Sequence, residues 1–559
     1  KQKTAYEIRN CDWSSDVCSS DLDGPFQMVA QNLAADFRLE AKSDFLAEGL
    51  VEGDPALEAQ RGGEQGVVAE ARVEIQGQVR AVDSHVGFHE HAGLPVVRAG
   101  ESLGAVPEKP VVDDEEIHLR LGGLLDHGLR GVHGRAEALH RPRNAEEVAE
   151  ILADCQARGV PVTVTARRTS TTGAPVPDGG VLLSTEHLHR VHALDDVDAG
   201  VLLGEYQAET ERAGMLFPPD PTSRNECSVG GAIACNASGA RTFKYGPTRP
   251  WVESVELVTP TGQILQVDRS TPSPWPVPRW QEPKVKTAAG YYPADNLLDL
   301  VIGAEGTLGV VTRARLRLIP LPAHVLTVLA YFPTRESMLA FVVQARGMGP
   351  RCIEYFDRRS LDLVRARLPQ VPVADSAILF EVEHDGEPPL EAWFDALVQH
   401  DALVDDTIVA SDDTERAKLA AVRHAAPATV NEIIARNGVQ KVGTDFAVPD
   451  AALPEMLAAY DQPDMQTVCF GHIGNSHLHL NFLPKNAEEL AEARRRYVAL
   501  AERAVALGGT VSAEHGIGRL KKAHLAKMVP PSVIDGWRAL KSAADPAWIL
   551  GRGVMFDRG

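Results

Sequence analysis

The run His477-Leu478-His479-Leu480-Asn481 alternates polar with apolar residues. Only an extended segment with one apolar face and one chemically furnished face accommodates that pattern. His472 precedes it in Gly471-His472-Ile473-Gly474-Asn475-Ser476, where glycines let the chain fold back. Further on stands Ser512-Ala513-Glu514-His515-Gly516-Ile517-Gly518. Imidazoles and a carboxylate are concentrated in these two short blocks beyond what packing requires. Two histidines and one glutamate leave coordination positions open, the ligand count of a catalytic rather than a structural metal site. Spacing alone leaves open which two histidines bind, because His477 and His479 share a face. A spare histidine beside the glutamate is a candidate proton acceptor.

The chain has 559 residues, enough for roughly two to four domains. A formal net charge of -21 argues against a broad basic surface for nucleic acid. No apolar run reaches the roughly eighteen residues of a spanning helix. The seven cysteines show no CxxC pair and no zinc-ribbon or iron–sulfur spacing. Reduced thiols and a cytoplasmic setting, or a peripheral one on the inner face of the membrane, are therefore expected.

Residues 1–22 (KQKTAYEIRNCDWSSDVCSSDL) have no periodicity and look like translated sequencing-adapter DNA. Residues 23–135 show little sustained helical or strand period and are expected to be non-native or disordered. Coherent sequence begins near Arg141. Asn144 is placed to cap a helix whose apolar residues Val148, Ile151, Leu152 and Cys155 recur at helical spacing, and Gly159 to end it. A strand from Val160 to Val164 and a small-residue loop follow. Val325 to Phe332 and Ile378 to Glu383 read as strands later in the chain. The order of helix, strand and loop predicts an α+β fold. The loop from Thr271 to Trp280 carries two tryptophans among prolines and reads as an extended surface insertion, with contact to a membrane or partner as the alternative.

Four blocks punctuate the first half: Pro218-Pro219-Asp220-Pro221-Thr222-Ser223; Ser228 to Gly239; Lys244-Tyr245-Gly246; and Ile302 to Thr312. Gly, Ala and Ser let backbone amides approach a large ligand closely, and successive N–H groups can cradle a diphosphate. Asn236 and Ser238 add side-chain hydrogen-bonding groups. No G-x-G-x-x-G follows a strand here, so a Rossmann site is disfavoured.

Taken in this order, the four blocks resemble the FAD-binding domain of the vanillyl-alcohol-oxidase type (the PCMH-type fold). The His/Glu blocks resemble the C-terminal domain of FAD-linked 2-hydroxy-acid dehydrogenases, the group of cytochrome-type D-lactate dehydrogenase and the glycolate oxidase D subunit. The resemblance covers roughly 141 to 556. It implies a PCMH-type FAD-binding domain over 136–322, a ferredoxin-like α+β substrate and metal-binding cap over 323–530, and a segment over 531–559 that returns to the first domain. It implies FAD and a divalent metal, zinc by habit of the family. It casts His472, His479 and Glu514 as metal ligands, His515 as general base, and Arg423, Lys441 and Asn481 as substrate contacts. The cofactor contacts implied are Arg167, Arg168, Thr169, Ser170, Gly173, Ala174, Pro219, Asp220, Ser228, Gly230, Gly231, Asn236, Ser238, Gly239, Tyr245, Gly246, Glu305, Gly309 and Val310. The expected activity is oxidation of a D-2-hydroxy acid, with electrons passed to a quinone, a cytochrome or an Fe–S partner. A flavin-dependent transferase of the alkyl-dihydroxyacetone-phosphate synthase type and a non-catalytic flavoprotein scaffold are the alternatives. Two departures stand out. Ala166, Arg167 and Arg168 stand where the phosphate loop usually has glycines. Asn475-Ser476-His477 replaces the usual Asp-Gly-Asn, so His477 is expected behind the ligands or against the substrate.

Overall fold

The computed structural model describes residues 117–120, 133–410 and 412–559. The stretches expected to be foreign or disordered, 1–22 and most of 23–135, lie outside the described residues. Of the second stretch, Ile117–Arg120 pairs antiparallel with His133–Ala136.

Helix α1 (Ala145–Arg158) begins where the Asn144 side chain accepts the Glu147 N–H, and ends where Gly159 takes φ 68°. That left-handed conformation costs a residue without Cβ nothing. Its buried Val148, Leu152 and Cys155 pack in one apolar cluster with a parallel sheet. The sheet comprises β1 (Ala138–His140), β2 (Val162–Thr165) and β3 (Val181–Ser184), with β3 in the middle. A second, antiparallel sheet contains β4 (Val191–Ala193), β5 (Asp196–Asp198), β6 (Val252–Val258), β7 (Ile264–Asp268) and β8 (Val310–Leu316), in the order β7-β6-β8-β5-β4. Helix α2 (Val229–Cys235) packs beside it, capped by the Ser228 side chain on the Gly231 N–H. Gly230 lets this helix close on the chain at Ala199, whose Cβ would lie 2.5 Å from any Cβ placed there.

The later half forms one antiparallel sheet. Its first strands and helices run β9 (His324–Phe332), α3 (Arg335–Gly347), β10 (Cys352–Asp357), β11 (Ser376–His384), α4 (Leu390–Gln399) and β12 (Ile408–Ala410). Their spatial order β12-β9-β11-β10 is the ferredoxin-like arrangement, with a helix, Arg358–Arg365, inserted between β10 and β11. The long helix α5 (Asp413–Asn437) follows. The sheet then continues from β10 through β15 (Thr467–His472) and β16 (His477–Phe482) to β13 (Val442–Gly443), and β14 (Phe446–Ala447) also pairs with β16. Helix α6 (Ala487–Ala506) packs its Ala493, Leu500 and Ala504 into the core of this half.

The chain then returns to where it began. Helix α7 (Pro531–Ala544) sends Trp537 and Leu540 into the core that also holds Ile233, Leu257 and Leu308. Beyond it, Val162 and Leu550 form an isolated parallel bridge: the Val162 N–H donates to Ile549 O at 2.7 Å and the Gly551 N–H to Val162 O at 3.0 Å. Trp275 and Trp280 of the proline-rich loop also pack on this core, and Trp280 meets Trp537 edge to face. Both rings face inward, which accounts for them without an external surface. Among the described residues no helix is long and apolar enough to cross a membrane.

Candidate active site

Strands β15 and β16 are joined by a tight turn, Ile473–Asn475, with Ser476 at φ 50°. The hairpin register puts His472 opposite His477 and Phe470 opposite His479. Gly471 adopts φ 137°, and a Cβ there would sit 3.0 Å from the His479 ring. The hairpin thereby gathers three imidazoles, and the Ser512–Gly518 segment delivers Glu514 and His515 to the same place.

Each ring is held by one nitrogen. His472 Nδ1 donates to Glu354 Oε1 at 2.7 Å, and His479 Nδ1 donates to the Thr444 carbonyl at 2.9 Å. Their Nε2 atoms face Glu514, at 3.4 Å from Oε2 and 3.2 Å from Oε1 respectively. Each ring thus turns its Nε2 toward Glu514 and is steadied from behind through Nδ1, the orientation of metal-ligating histidines. His477, fully buried, donates from Nε2 to Asp445 Oδ1 at 3.0 Å. The ligand atoms of His472, His477, His479 and Glu514 all lie within 4.8 Å of one another. The donor types and their convergence fit a divalent ion.

Asp445 organises the Ser512–Gly518 segment. Its buried carboxylate accepts from the N–H groups of Glu514 (3.2 Å) and His515 (3.0 Å), the Ser512 hydroxyl (2.8 Å) and Lys521 Nζ (2.7 Å), besides His477. Burial alone would raise its pKa, but His515, Lys521 and His477 hold it well below the usual range. Lys286 Nζ donates to Glu514 Oε2 at 2.8 Å. Burial likewise pushes Glu514 up, and Lys286, His472 and His477 outweigh it, so the carboxylate stays ionised. Burial lowers His472, but Glu354 and Glu514 carry it up to about 9. Loading an ion therefore displaces a proton from that ring. Enclosure by protein pulls His515 down to about 4, so its imidazole is neutral across the neutral range.

A cavity of about 1000 Å³ connects this cluster to the first half, at the upper end of ligand-pocket volumes. Its wall includes Arg167, Arg168, Thr169, Ser170 and Ala174 from the loop after β2; Asp220; and Ser228, Gly230, Gly231 and Ser238 around α2. Glu305, Gly309 and Val310 complete that side, and Lys441, Asn481, His472, His479, Glu514 and His515 the other. The small residues and adjacent arginines suit a long anionic cofactor such as FAD. Arg168 holds φ 58°, a left-handed conformation that glycine adopts without strain and a residue with a Cβ rarely does.

Gly173, Pro219, Asn236, Gly239, Tyr245 and Gly246 are not in that wall. Asn236 takes φ 48° at the end of α2 and accepts the Arg249 N–H at 2.9 Å. The Tyr245 hydroxyl donates to both Glu383 oxygens at 2.6 and 2.7 Å, tying the first half to β11. Gly239 lets the chain pass Asp220, whose carbonyl would lie 2.0 Å from a Cβ there. Glu305 accepts the Ile517 and Gly518 N–H groups, each at 2.8 Å, and so anchors the loop after His515. Arg423 lies in α5, but its side chain is outside what the structure describes. Sequence reasoning missed Glu354, Asp445 and Lys286. Their partners lie 118, 32 and 228 residues away, so no local spacing marks them.

A bipartite molecule with a small-residue cofactor cleft facing a histidine–carboxylate cluster is the build of a flavin-linked oxidoreductase. The sequence matches the FAD binding domain family over 136–268 and the C-terminal domain of FAD linked oxidases over 321–555. The D-2-hydroxyglutarate dehydrogenase of Xanthomonas citri pv. viticola is 30% identical over 75% of this chain and 89% of its own length. The D-lactate dehydrogenase of Archaeoglobus fulgidus is 30% identical over 74% and 90%. The glycolate oxidase subunit GlcD of Bacillus subtilis is 29% identical over 76% and 89%. Alkyldihydroxyacetonephosphate synthase shares the fold, with a TM-score of 0.57 at 18% identity over 76% of this chain and 77% of that one. The chain belongs to the FAD-linked oxidase family and is an FAD-dependent hydroxy-acid oxidoreductase.

Proposed function

We propose that the chain oxidises a D-2-hydroxy acid, with D-lactate or glycolate foremost, to the corresponding 2-oxo acid with the help of a divalent ion. One observation carries this reading: His472, His479 and Glu514 converge, with His515 beside them, in the wall of the same cavity as the small-residue cofactor loops. When bound, FAD supplies the hydride acceptor, and a divalent ion, zinc by the family resemblance, supplies the Lewis acid that acidifies the substrate hydroxyl.

The protein's own groups then do the following. His515 accepts the hydroxyl proton as the C2 hydride departs. Lys441, and Arg423 from α5, hold the carboxylate, and Asn481 orients the polar end of the substrate. Arg167 and Arg168 neutralise the diphosphate. Electrons leave for a quinone, a cytochrome or an Fe–S partner. The alkyl-dihydroxyacetone-phosphate synthase type of transfer is the competing chemistry on this fold, and it would not need an ion.

Anaerobic mixing of the flavoprotein with D- and L-2-hydroxy acids, with and without chelator, tests the proposal. Loss of visible flavin absorbance is expected with a D-acid or glycolate, suppressed by chelator and restored by a divalent ion. Full bleaching in chelator would remove the ion from the mechanism; no bleaching with any acid would remove the activity.

A further inference from the structure

The three imidazoles of the cluster are built alike. In each, one ring nitrogen is occupied by a protein acceptor: Glu354 for His472, Asp445 for His477 and the Thr444 carbonyl for His479. In each, the other nitrogen faces Glu514, at 3.4 Å for His472, 3.9 Å for His477 and 3.2 Å for His479. The His477 ring is wholly buried, and its Nδ1 has no hydrogen-bond partner. A buried polar atom left unmatched costs about 1–3 kcal/mol, which a residue serving only as a strut for Asp445 has no reason to carry. A glutamine or asparagine could support Asp445 without a lone pair aimed at Glu514.

We propose that His477 Nδ1 is a protein ligand of the divalent ion, so that His472, His477, His479 and Glu514 form a four-donor set. The inference rests on the metal-assisted reading above and alters it. A fourth protein donor retains the ion more firmly than two imidazoles and a carboxylate do. On zinc the substrate would enter by expansion beyond four ligands, as catalytic zinc sites do; an ion that takes six ligands would keep two positions, enough for a hydroxyl and a carboxylate oxygen. Asp445 then does for His477 what Glu354 does for His472: it fixes the tautomer from behind and raises the basicity of the ligating nitrogen.

The experiment is X-ray absorption at the metal edge of the zinc-loaded holoenzyme, paired with zinc titration against a competing chromophoric chelator. Wild type is expected to show three imidazole scatterers. His477→Gln keeps an amide N–H near the Nε2 position for Asp445 and puts only methylene where Nδ1 was. It is expected to show two imidazoles and an affinity lower by roughly 10–100-fold, with flavin content and far-ultraviolet dichroism unchanged. Two imidazoles in wild type would overturn the assignment while leaving the metal-assisted reading intact, and the wild-type measurement needs no variant to fold. Equal affinity in wild type and variant would also overturn it. Failure of wild type to take up any divalent ion would sink both.

Discussion

Lys286 and Glu514 show how much rests on single side chains in the buried cluster. The Lys286 ammonium is the largest positive influence on the ionised Glu514 carboxylate, ahead of His472 and His477. Removing one partner of a buried pair leaves the other uncompensated, at a cost of roughly 3 kcal/mol or more. Lys286→Met should therefore lower the thermal midpoint of the chelated protein and restore it when a divalent ion is added. The ion-dependent shift should be clearly larger than in wild type. Scanning fluorimetry with and without chelator reads this, and an equal ion dependence in both proteins would show that Lys286 does not stand in for the ion. His515 touches a different part of the process. Its ring is stacked over His479 at 5.4 Å between centroids, and its backbone N–H is fixed by Asp445. His515→Ala should keep flavin and metal but lose about two to four decades of turnover, measured as the rate of anaerobic flavin bleaching. Near-full turnover would remove the base assignment.

At the scale of elements, the anchor between the Glu305 turn and the Gly516–Gly518 loop makes a prediction about pH. Burial raises Glu305 from 4.5 to about 7, although two backbone N–H groups and Lys521 pull the other way. The folded protein therefore holds a proton that the unfolded chain has already lost between these two values. The contribution of Glu305 to stability must fall as pH rises from about 4.5 to about 7 and level off above. The change is about 3 kcal/mol at 1.36 kcal/mol per unit. Glu305→Gln does not titrate, so the stability difference between wild type and variant should shrink, or move against wild type, across that window. Urea unfolding at pH 5 and pH 8 measures it; a difference independent of pH would refute the shift. Elements such as these also show what a sequence discloses. Asn144 and Gly159 bracket α1 because cap chemistry is local. The alternation at 477–481 gives β16 because side-chain direction has period two. The pairing of His472 with Glu354, or of Glu514 with Lys286, depends on which distant strands become neighbours, and periodicity carries no information about that. Asn236 and Tyr245 sit among the cofactor loops in sequence, yet their polar atoms are used by Arg249 and Glu383. Proximity along the chain and proximity to the cavity are different things.

At the scale of the whole molecule, the final segment and the small-residue loops share one core, while most apolar residues of the β15–β16 hairpin belong to another. Trp537 is fully buried and meets Trp280, Tyr291 and Phe556. The same apolar cluster includes Ala232 and Ile233 of α2, and Leu308 beside the Glu305 turn. Phe341, Phe380, Leu478 and Phe482 lie in a separate cluster under the β9–β16 sheet. Truncating Trp537 to alanine removes a large ring from the first core and leaves a cavity, which costs about 3–5 kcal/mol. The damage should fall on the element that grips the cofactor before it reaches the ligand hairpin. Trp537→Ala is thus expected to release flavin roughly 10 °C below wild type. Amide protons of β9, β11 and β16 should keep native protection at that temperature, because their packing does not include the lost ring. Flavin fluorescence on heating, read alongside hydrogen exchange, tests both halves of the expectation. Simultaneous loss of flavin and of β16 protection would mean that the two cores unfold as one cooperative unit, and that the returning C-terminal segment stabilises the later half as directly as it does the first.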